Sequence, residues 1–279
     1  MEENGIFVNQ RGIGFIFEIG LYLGSDKAIE NELSALFKDI LPDNSNIQFL
    51  FYSSDKVEHI LDYWASNKVA TNEVEQELVE KRVEFFKNLS NQGNNTFRIR
   101  DFGAIVSVSI ETDTINHRAI AKIIELKTKT IAVFETRGQR AKEWGAVDLI
   151  NFLSDIFNVS SSLKKADKEW SQYQSISSQI IDRCNVYSLS DDKLTLNEGE
   201  KEFRFLSIAR YPQLWSLSQM SQVIGDSLND YLKIPCPFLI SYGVHIVGSK
   251  FKKTKMMAKA SRVEWQANTP LGRWISAIR

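Results

Sequence analysis

Residues 13–22 read IGFIFEIGLY, and the alternation in this stretch decides the class of fold. Apolar side chains occupy every second position, with Glu18 among the residues between them. The side chains on the apolar face are Phe15, Phe17, Ile19 and Leu21. A period of two predicts a half-buried β-strand. Residues 5–9 (GIFVN) are β-prone and residues 9–12 (NQRG) have turn chemistry, so we expect a β-hairpin here.

Outside this hairpin, strand and helix patterns follow one another along the chain. Further strands are predicted at residues 47–52, 97–110, 193–196, 203–208 and 238–247. Apolar residues at helical spacing predict helices at about residues 25–37, 55–64, 73–89, 115–134, 144–157, 216–229 and 251–278. This order indicates an α+β fold with mixed or antiparallel sheets backed by helices.

The composition changes at residues 158–178, where Ser and Lys increase and apolar residues become sparse. This stretch is predicted to be a linker or a long excursion. Residues 1–157 would then form a first α+β sub-domain. Residues 179–279 would form a second, which ends in a basic C-terminal helix.

The charge balance excludes a general attraction to polyanions. The 279 residues carry 34 Lys and Arg against 35 Asp and Glu, so any contact with nucleic acid or acidic lipid has to be local. Cys184 and Cys236 have no metal-like spacing and are expected to be buried thiols of a reducing cytoplasm. We find neither a signal-peptide pattern nor an apolar run of the ~20 residues needed to cross a bilayer.

Two glycine patterns resemble nucleotide-binding motifs only in part. Residues 243–250 (GVHIVGSK) have the glycine spacing of a phosphate-binding loop, but the last two residues are reversed. Gly12 and Gly14 lack the third glycine of a dinucleotide fingerprint and precede a strand, so we expect a hairpin turn there. We therefore expect no catalytic, cofactor-binding or metal-binding residue and no enzymatic activity in this chain.

Four other titratable residues have no catalytic spacing. His59, His117 and His245 share no metal-ligand pattern, although a triad assembled by the fold stays open. Glu18 lies in an apolar strand, where it is either at a solvent-facing rim or a carboxylate with a shifted pKa.

Two segments are candidates for surface contacts. An aromatic patch with the composition of an interface core contains Tyr211, Leu214, Trp215 and Met220. An ordinary core layer is the alternative for that patch. A basic surface is formed by Lys250, Lys252, Lys253, Lys255 and Lys259. That surface would suit single-stranded nucleic acid or acidic lipid, or it is a solvated helix face.

Several pieces in order resemble the TraC family, the F-type members of the pilus-assembly ATPases of type IV secretion. Residues 5–9 and 12–18 (GIGFIFE) are similar to the family's early strand pair. Residues 209–215 (ARYPQLW) are similar to its ARYP-x-x-W-like stretch, and residues 234–240 (IPCPFLI) to its I-x-CPF strand. The resemblance covers most of the chain, although none of these motifs is catalytic.

The resemblance implies a docking and assembly module from the N-terminal part of such an ATPase. Full-length members are cytoplasmic, lie at the inner-membrane side of a conjugation channel and tend to form hexamers. ATP and magnesium bind in a C-terminal motor domain, which we expect outside these residues. The implied partners are inner-membrane channel proteins and neighbouring subunits. Two alternatives stay open, a stand-alone nucleic-acid-binding module using the basic C-terminal helix and an enzyme with an unrecognised site.

Overall fold

The computed structural model describes residues 5–9, 11–20, 27–69, 72–92, 99–112, 114–136, 140–159, 165–190, 193–207, 234 and 236–248. These residues form an α+β fold in which every strand pairing is antiparallel. The strands are β1 (Ile6–Val8), β2 (Gly12–Ile19), β3 (Ser45–Ser54), β4 (Asp101–Glu111), β5 (Ala141–Glu143), β6 (Tyr187–Leu189), β7 (Leu194–Leu196), β8 (Lys201–Phe203) and β9 (Phe238–His245). The helices are α1 (Lys27–Ala35), α2 (Glu58–Ser66), α3 (Glu73–Gln92), α4 (His117–Glu135), α5 (Ala146–Phe157) and α6 (Ile176–Ile180), with a π-helical turn (Leu36–Ile40) after α1 and a 3-10 turn (Asn197–Gly199) before β8.

The predicted hairpin organises the larger sheet. β1 pairs with β2, with Ile6 opposite Phe15 and Val8 opposite Ile13. The strand order is β1-β2-β4-β3-β9, and β5 pairs with the last residues of β2 on the edge that β1 occupies further back. β9 pairs with β3 and forms the opposite edge of the sheet, although the two strands are far apart in the sequence.

One face of this sheet carries the main core. The odd-numbered residues of β2 point to this face because side chains alternate along a strand. They pack against α4 and the π-helical turn. The most deeply buried members are Ile13, Phe15, Phe17, Leu36, Ile47, Val106, Val108, Ile123 and Phe134. The buried ammonium of Lys127 on α4 pairs with Glu143 of β5 at 2.6 Å, which ties the helix to the sheet edge.

The opposite face is covered in part by α5. Tyr52, Ile105 and Trp144 are buried there, and Phe152 of α5 packs on both aromatic rings. The first turn of α5 is fixed by the Asp148 carboxylate, which accepts the Gly145 amide hydrogen at 2.9 Å. The sheet is therefore sandwiched between helices, as the α+β prediction requires.

The helices α2 and α3 form an antiparallel helical hairpin at the end of β3. Lys87 near the end of α3 pairs with Glu58 at the start of α2 at 3.0 Å. The Ser90 hydroxyl donates to the Asp55 carbonyl, and the Arg100 guanidinium donates to the Ser90 carbonyl just before β4. These contacts attach one end of the hairpin to the end of the sheet where β3 finishes and β4 begins.

The segment after α5 is attached to the C-terminal end of that helix. Lys201 of β8 donates to the carbonyl oxygens of Asp155, Ile156 and Asn158. Because the last carbonyls of a helix lack intrahelical partners and carry partial negative charge, an ammonium group stabilises them. The Asn158 side chain also donates to the Ile180 carbonyl and accepts from the Asp182 amide.

Residues 165–168, within the predicted linker or excursion, also contact α5. The Ala166 amide donates to Asp155 and the Lys168 amide to Asn151. The division into residues 1–157 and 179–279 stays a prediction. β9 follows that division in sequence and is hydrogen-bonded into the larger sheet.

Some predicted details are wrong. The second short strand spans Lys201–Phe203 rather than 203–208, and the three-residue strand β6 was not expected. α3 continues to Gln92, beyond the predicted end at about residue 89. Cys184 and Cys236 are exposed rather than buried. Among the residues described, no helix is both long and apolar enough to cross a membrane.

Candidate docking surface

The outer side of the α2–α3 hairpin exposes large apolar side chains. Leu78 and Phe85 of α3 are 62% and 58% exposed, and Tyr63 of α2 is 74% exposed. The full set, which we call the outer apolar face, is Ile60, Tyr63, Val74, Leu78 and Phe85. Single exposed apolar residues are ordinary, but several on one small element mark a contact surface.

The packing between the two helices holds this face in place. The Arg82 guanidinium lies over both the Trp64 ring and the Phe86 ring, with its central carbon 5.7 and 5.8 Å from their centroids. The Lys68 ammonium lies 5.2 Å from the centre of the same Trp64 ring. Cations over aromatic faces are attracted by the ring quadrupole, so these contacts add to the Lys87–Glu58 ion pair.

A groove between the two helices forms a second surface of the hairpin. It has a volume of about 400 Å³ and opens widely to solvent. Ala65, Val79 and Val83 supply its apolar floor. Its polar rim consists of Asp62, Glu80, Glu84 and Lys87. Val83 and Phe85 are two positions apart, about 200° around a helix, so the groove and the outer apolar face lie on opposite sides of α3.

Glu18 belongs to a polar cluster on the face of the sheet covered by α5. The Tyr52 hydroxyl donates to Glu18 at 2.9 Å, and the indole nitrogen of Trp144 donates to the other carboxylate oxygen at 3.4 Å. Burial, followed by the negative charges of Glu18 and Asp101, raises the pKa of Tyr52 far above its ordinary value. The hydroxyl therefore stays protonated and remains a hydrogen-bond donor. Glu18 thus joins β2, β3 and the start of α5.

The Asp101 carboxylate, beside that cluster, lies close to the side chains of Lys165 and His59. Lys165 lies 3.0 Å and His59 3.5 Å from its Oδ2 atom. Burial, and then the charge of Lys165, lowers the pKa of His59. Burial also lowers the pKa of Lys201 and raises the pKa of Asp155. This arrangement joins the end of the sheet to residues 165–201 through charge and hydrogen bonds.

The three histidines lie apart in the fold. His59 is on α2, His117 begins α4, and His245 at the end of β9 contacts Asn46 at 2.8 Å. The described ranges contain no group of three or more His, Cys, Asp or Glu residues placed to hold a metal ion.

The glycine patterns occupy strands. Gly12 and Gly14 lie inside β2 rather than in the hairpin turn, so that expectation is wrong. A Cβ atom at Gly12 would lie 2.1 Å from the Ile110 carbonyl oxygen, and one at Gly14 would lie 2.5 Å from that of Val108. These glycines therefore permit close approach of β2 to β4. Gly243 lies in β9, where residues 238–245 continue as a strand.

The residues singled out as surface candidates lie outside the described part of the chain. This holds for the aromatic patch of Tyr211, Leu214, Trp215 and Met220, and for the basic surface of Lys250, Lys252, Lys253, Lys255 and Lys259. The outer apolar face was not predicted, because the helical pattern at residues 73–89 does not tell which apolar residues stay exposed. A signal was present, since Val74, Leu78 and Phe85 form a second apolar stripe at helical spacing beside Val79, Val83 and Phe86.

The sequence of this chain matches a known protein family. The family described as TraC protein matches residues 1–279, the whole chain. No curated protein matches the chain. This family comprises components of F-type type IV secretion systems, associated with conjugation and pilus assembly. The chain therefore belongs to the TraC family of F-type type IV secretion.

Proposed function

We propose that this chain is a docking and assembly module of a type IV secretion ATPase. It contacts inner-membrane channel proteins on the cytoplasmic side and neighbouring subunits in the assembled complex. It has no ATPase activity of its own, because ATP and magnesium bind in a motor domain outside these residues. Family membership supports the secretion role.

The observation that carries the docking role is the outer apolar face. Interface cores are enriched in aromatic and large apolar side chains, and Tyr63 and Phe85 are of this kind. Among the described residues, their helices are attached to the end of the sheet through the Ser90 hydroxyl on the Asp55 carbonyl and the Arg100 guanidinium on the Ser90 carbonyl. The hairpin therefore presents its apolar side chains away from the main core, where a partner can cover them.

Site-specific photo-crosslinking in cells that assemble the complete secretion system tests this proposal. A photo-reactive residue replaces Phe85 in the full protein, and a matched control replaces Glu125, an exposed residue of α4. We expect position 85, and not position 125, to crosslink to an inner-membrane protein of the system. Identical crosslinks at both positions, or none at position 85 while the system is active, would contradict the docking role.

ATP hydrolysis provides a separate test. The purified 279-residue chain is expected to hydrolyse ATP no faster than a buffer control. Hydrolysis that increases with protein concentration and survives further purification would show that the chain has a nucleotide site of its own.

A further inference from the structure

We infer that the groove of the α2–α3 hairpin binds the basic segment, residues 250–259, of a neighbouring copy of this chain. The inference deepens the proposed assembly role and rests on it. It concerns a surface separate from the outer apolar face, since the two lie on opposite sides of α3.

The groove and the segment are complementary in charge. Asp62, Glu80 and Glu84 line the rim, and the positive charge of Lys87 is already paired with Glu58. Within the residues that the structure describes, these three rim carboxylates form no ion pair, and Glu80 accepts only an amide hydrogen bond from Gln76. Residues 250–259 (KFKKTKMMAK) contain five lysines and no acidic residue. Opposite charges at a rim guide association and fix the orientation of the bound segment.

The apolar parts also match. Ala65, Val79 and Val83 form the groove floor between the acidic side chains. The basic segment carries Phe251, Met256 and Met257 among its lysines. Methionine fills irregular apolar grooves well because its side chain is unbranched and polarisable. A segment with both lysines and large apolar side chains is therefore suited to an apolar floor with an acidic rim.

The position of Gly248 indicates that the segment comes from a second copy. Gly248 lies beside Asp43, and the Asn44 amide donates to the Ile246 carbonyl, so the chain reaches residue 248 next to the first residue of β3. The hairpin is attached beyond the other end of β3, which has ten residues and is about 30 Å long. The groove lies within one to two turns of the start of α2, which is at most about 10 Å from this attachment whichever way the helix runs.

A single chain cannot place the whole segment in its own groove. Even if α2 runs back along β3, the groove stays about 20 Å from Gly248, so only the second half of residues 249–259 can reach it when fully extended. The same residues in a helix reach only about 16 Å. Lys250, Lys252 and Lys253 would in either case stay outside the groove. A neighbouring copy has no such restriction.

Complementary charge reversal tests the inference on the full 279-residue chain. The groove variant is Glu80→Lys with Glu84→Lys, and the segment variant is Lys252→Glu with Lys253→Glu. Sedimentation equilibrium at micromolar concentrations measures self-association. We expect wild-type self-association that weakens with salt, and a loss of about tenfold or more in each variant alone. Mixing the two variants is expected to restore association, because the unchanged groove of the segment variant then meets the unchanged segment of the groove variant, and the Lys-bearing groove meets the Glu-bearing segment.

Other outcomes overturn the inference. Wild-type protein that stays monomeric, a groove variant that associates as well as wild type, or a mixture that does not recover would each do so. Glu125→Lys on α4 is the control, and an equal loss there would show a general effect of charge. A photo-reactive residue can also replace Asp62 in the groove. If it crosslinks to a membrane protein instead of a second copy, residues 250–259 of a neighbouring copy are not the occupant of the groove. None of these outcomes would change the crosslinks formed at position 85. Failure of the groove inference can therefore be distinguished from failure of the docking role.

Discussion

The phenol ring of Tyr52 lies directly over Gly103, its cross-strand partner. A Cβ atom at Gly103 would be 2.4 Å from both Cζ and the hydroxyl oxygen of Tyr52. The missing side chain at Gly103 on β4 leaves room for the ring, whose hydroxyl donates to Glu18. The glycine and the tyrosine therefore form one structural unit.

The first prediction follows from that contact. Gly103→Ala forces the Tyr52 ring out of its position, and we expect the free energy of unfolding to fall by about 1–3 kcal/mol. Urea denaturation measures the loss. Gly243→Ala in β9 is the matched control, because nothing lies within 4 Å of the added Cβ atom there. Equal stability changes in the two variants would contradict the account of the Tyr52–Gly103 contact.

The second prediction concerns alkaline stability. The pKa of Tyr52 is raised in the folded protein, so the folded state holds this proton more tightly than the unfolded state does. The corresponding stability is fully present below the unfolded pKa of about 10 and is lost as pH rises above it. Tyr52→Phe removes the titrating group, so its free energy of unfolding should fall less steeply above pH 10 than that of wild type. If the free energy of unfolding falls equally steeply with pH in both proteins, the Tyr52 hydroxyl is not the source of the alkaline loss of stability.

The third prediction concerns Lys201. Lys201→Met removes three hydrogen bonds to the end of α5, and we expect faster amide hydrogen exchange in β6, β7 and β8 by about tenfold. The larger sheet should exchange as in wild type. Lys193→Met is the control, because within the described residues its side chain forms an ion pair with the partly exposed Glu202 and no contact with α5. Unchanged exchange in β6, β7 and β8, which form a separate three-stranded sheet, would show after Lys201→Met that this capping contact is dispensable.

The fourth prediction concerns the α2–α3 hairpin. Arg82→Ala removes the cation from between Trp64 and Phe86, which should cost about 1 kcal/mol and increase hydrogen exchange in both helices. Lys81→Ala removes an exposed charge paired with Glu77 one turn away and should change stability by less than about 0.5 kcal/mol. A larger effect from Lys81 than from Arg82 would contradict the stacking argument.

The fifth prediction separates docking from stability. Leu78→Ser with Phe85→Ser should leave the free energy of unfolding within about 1 kcal/mol of wild type, because both side chains are largely exposed. Recovery of inner-membrane partners with the assembled complex should fall strongly in the same variant. A variant that is strongly destabilised would show that these residues belong to the core instead.

Much of the main sheet could be predicted because its strands are long and half-buried. The alternation through Phe15, Phe17 and Ile19 identified β2, and the apolar stripe through Ile150 identified α5. β6 was missed and β8 was misplaced, although the equally short β7 was predicted, because three residues define the presence and bounds of a strand poorly. Pairing order is set by tertiary contacts, so the position of β9 beside β3 could not be read from the pattern.

The candidate site was less predictable than the fold. Apolar residues at helical spacing look the same whether they pack inward or stay exposed, so Phe85 and Phe86 cannot be distinguished by type. The structure separates them, since Phe86 lies against Arg82 while Phe85 is exposed. The polar cluster around Glu18 joins residues 126 positions apart, a relationship that one sequence does not contain.

The pairing of β9 with β3 has a consequence for how this protein is made. Gln48 and Ser241 are hydrogen-bonded to each other but are 193 residues apart. At a synthesis rate of about 5–20 residues per second, β3 leaves the ribosome roughly 10–40 s before its partner. During that interval one edge of β3 is unpaired beside Phe49 and Phe51, and such edges recruit strands from other chains. Nascent chains of this protein are thus vulnerable to aggregation until β9 has been synthesised, and cellular chaperones have that period in which to protect them.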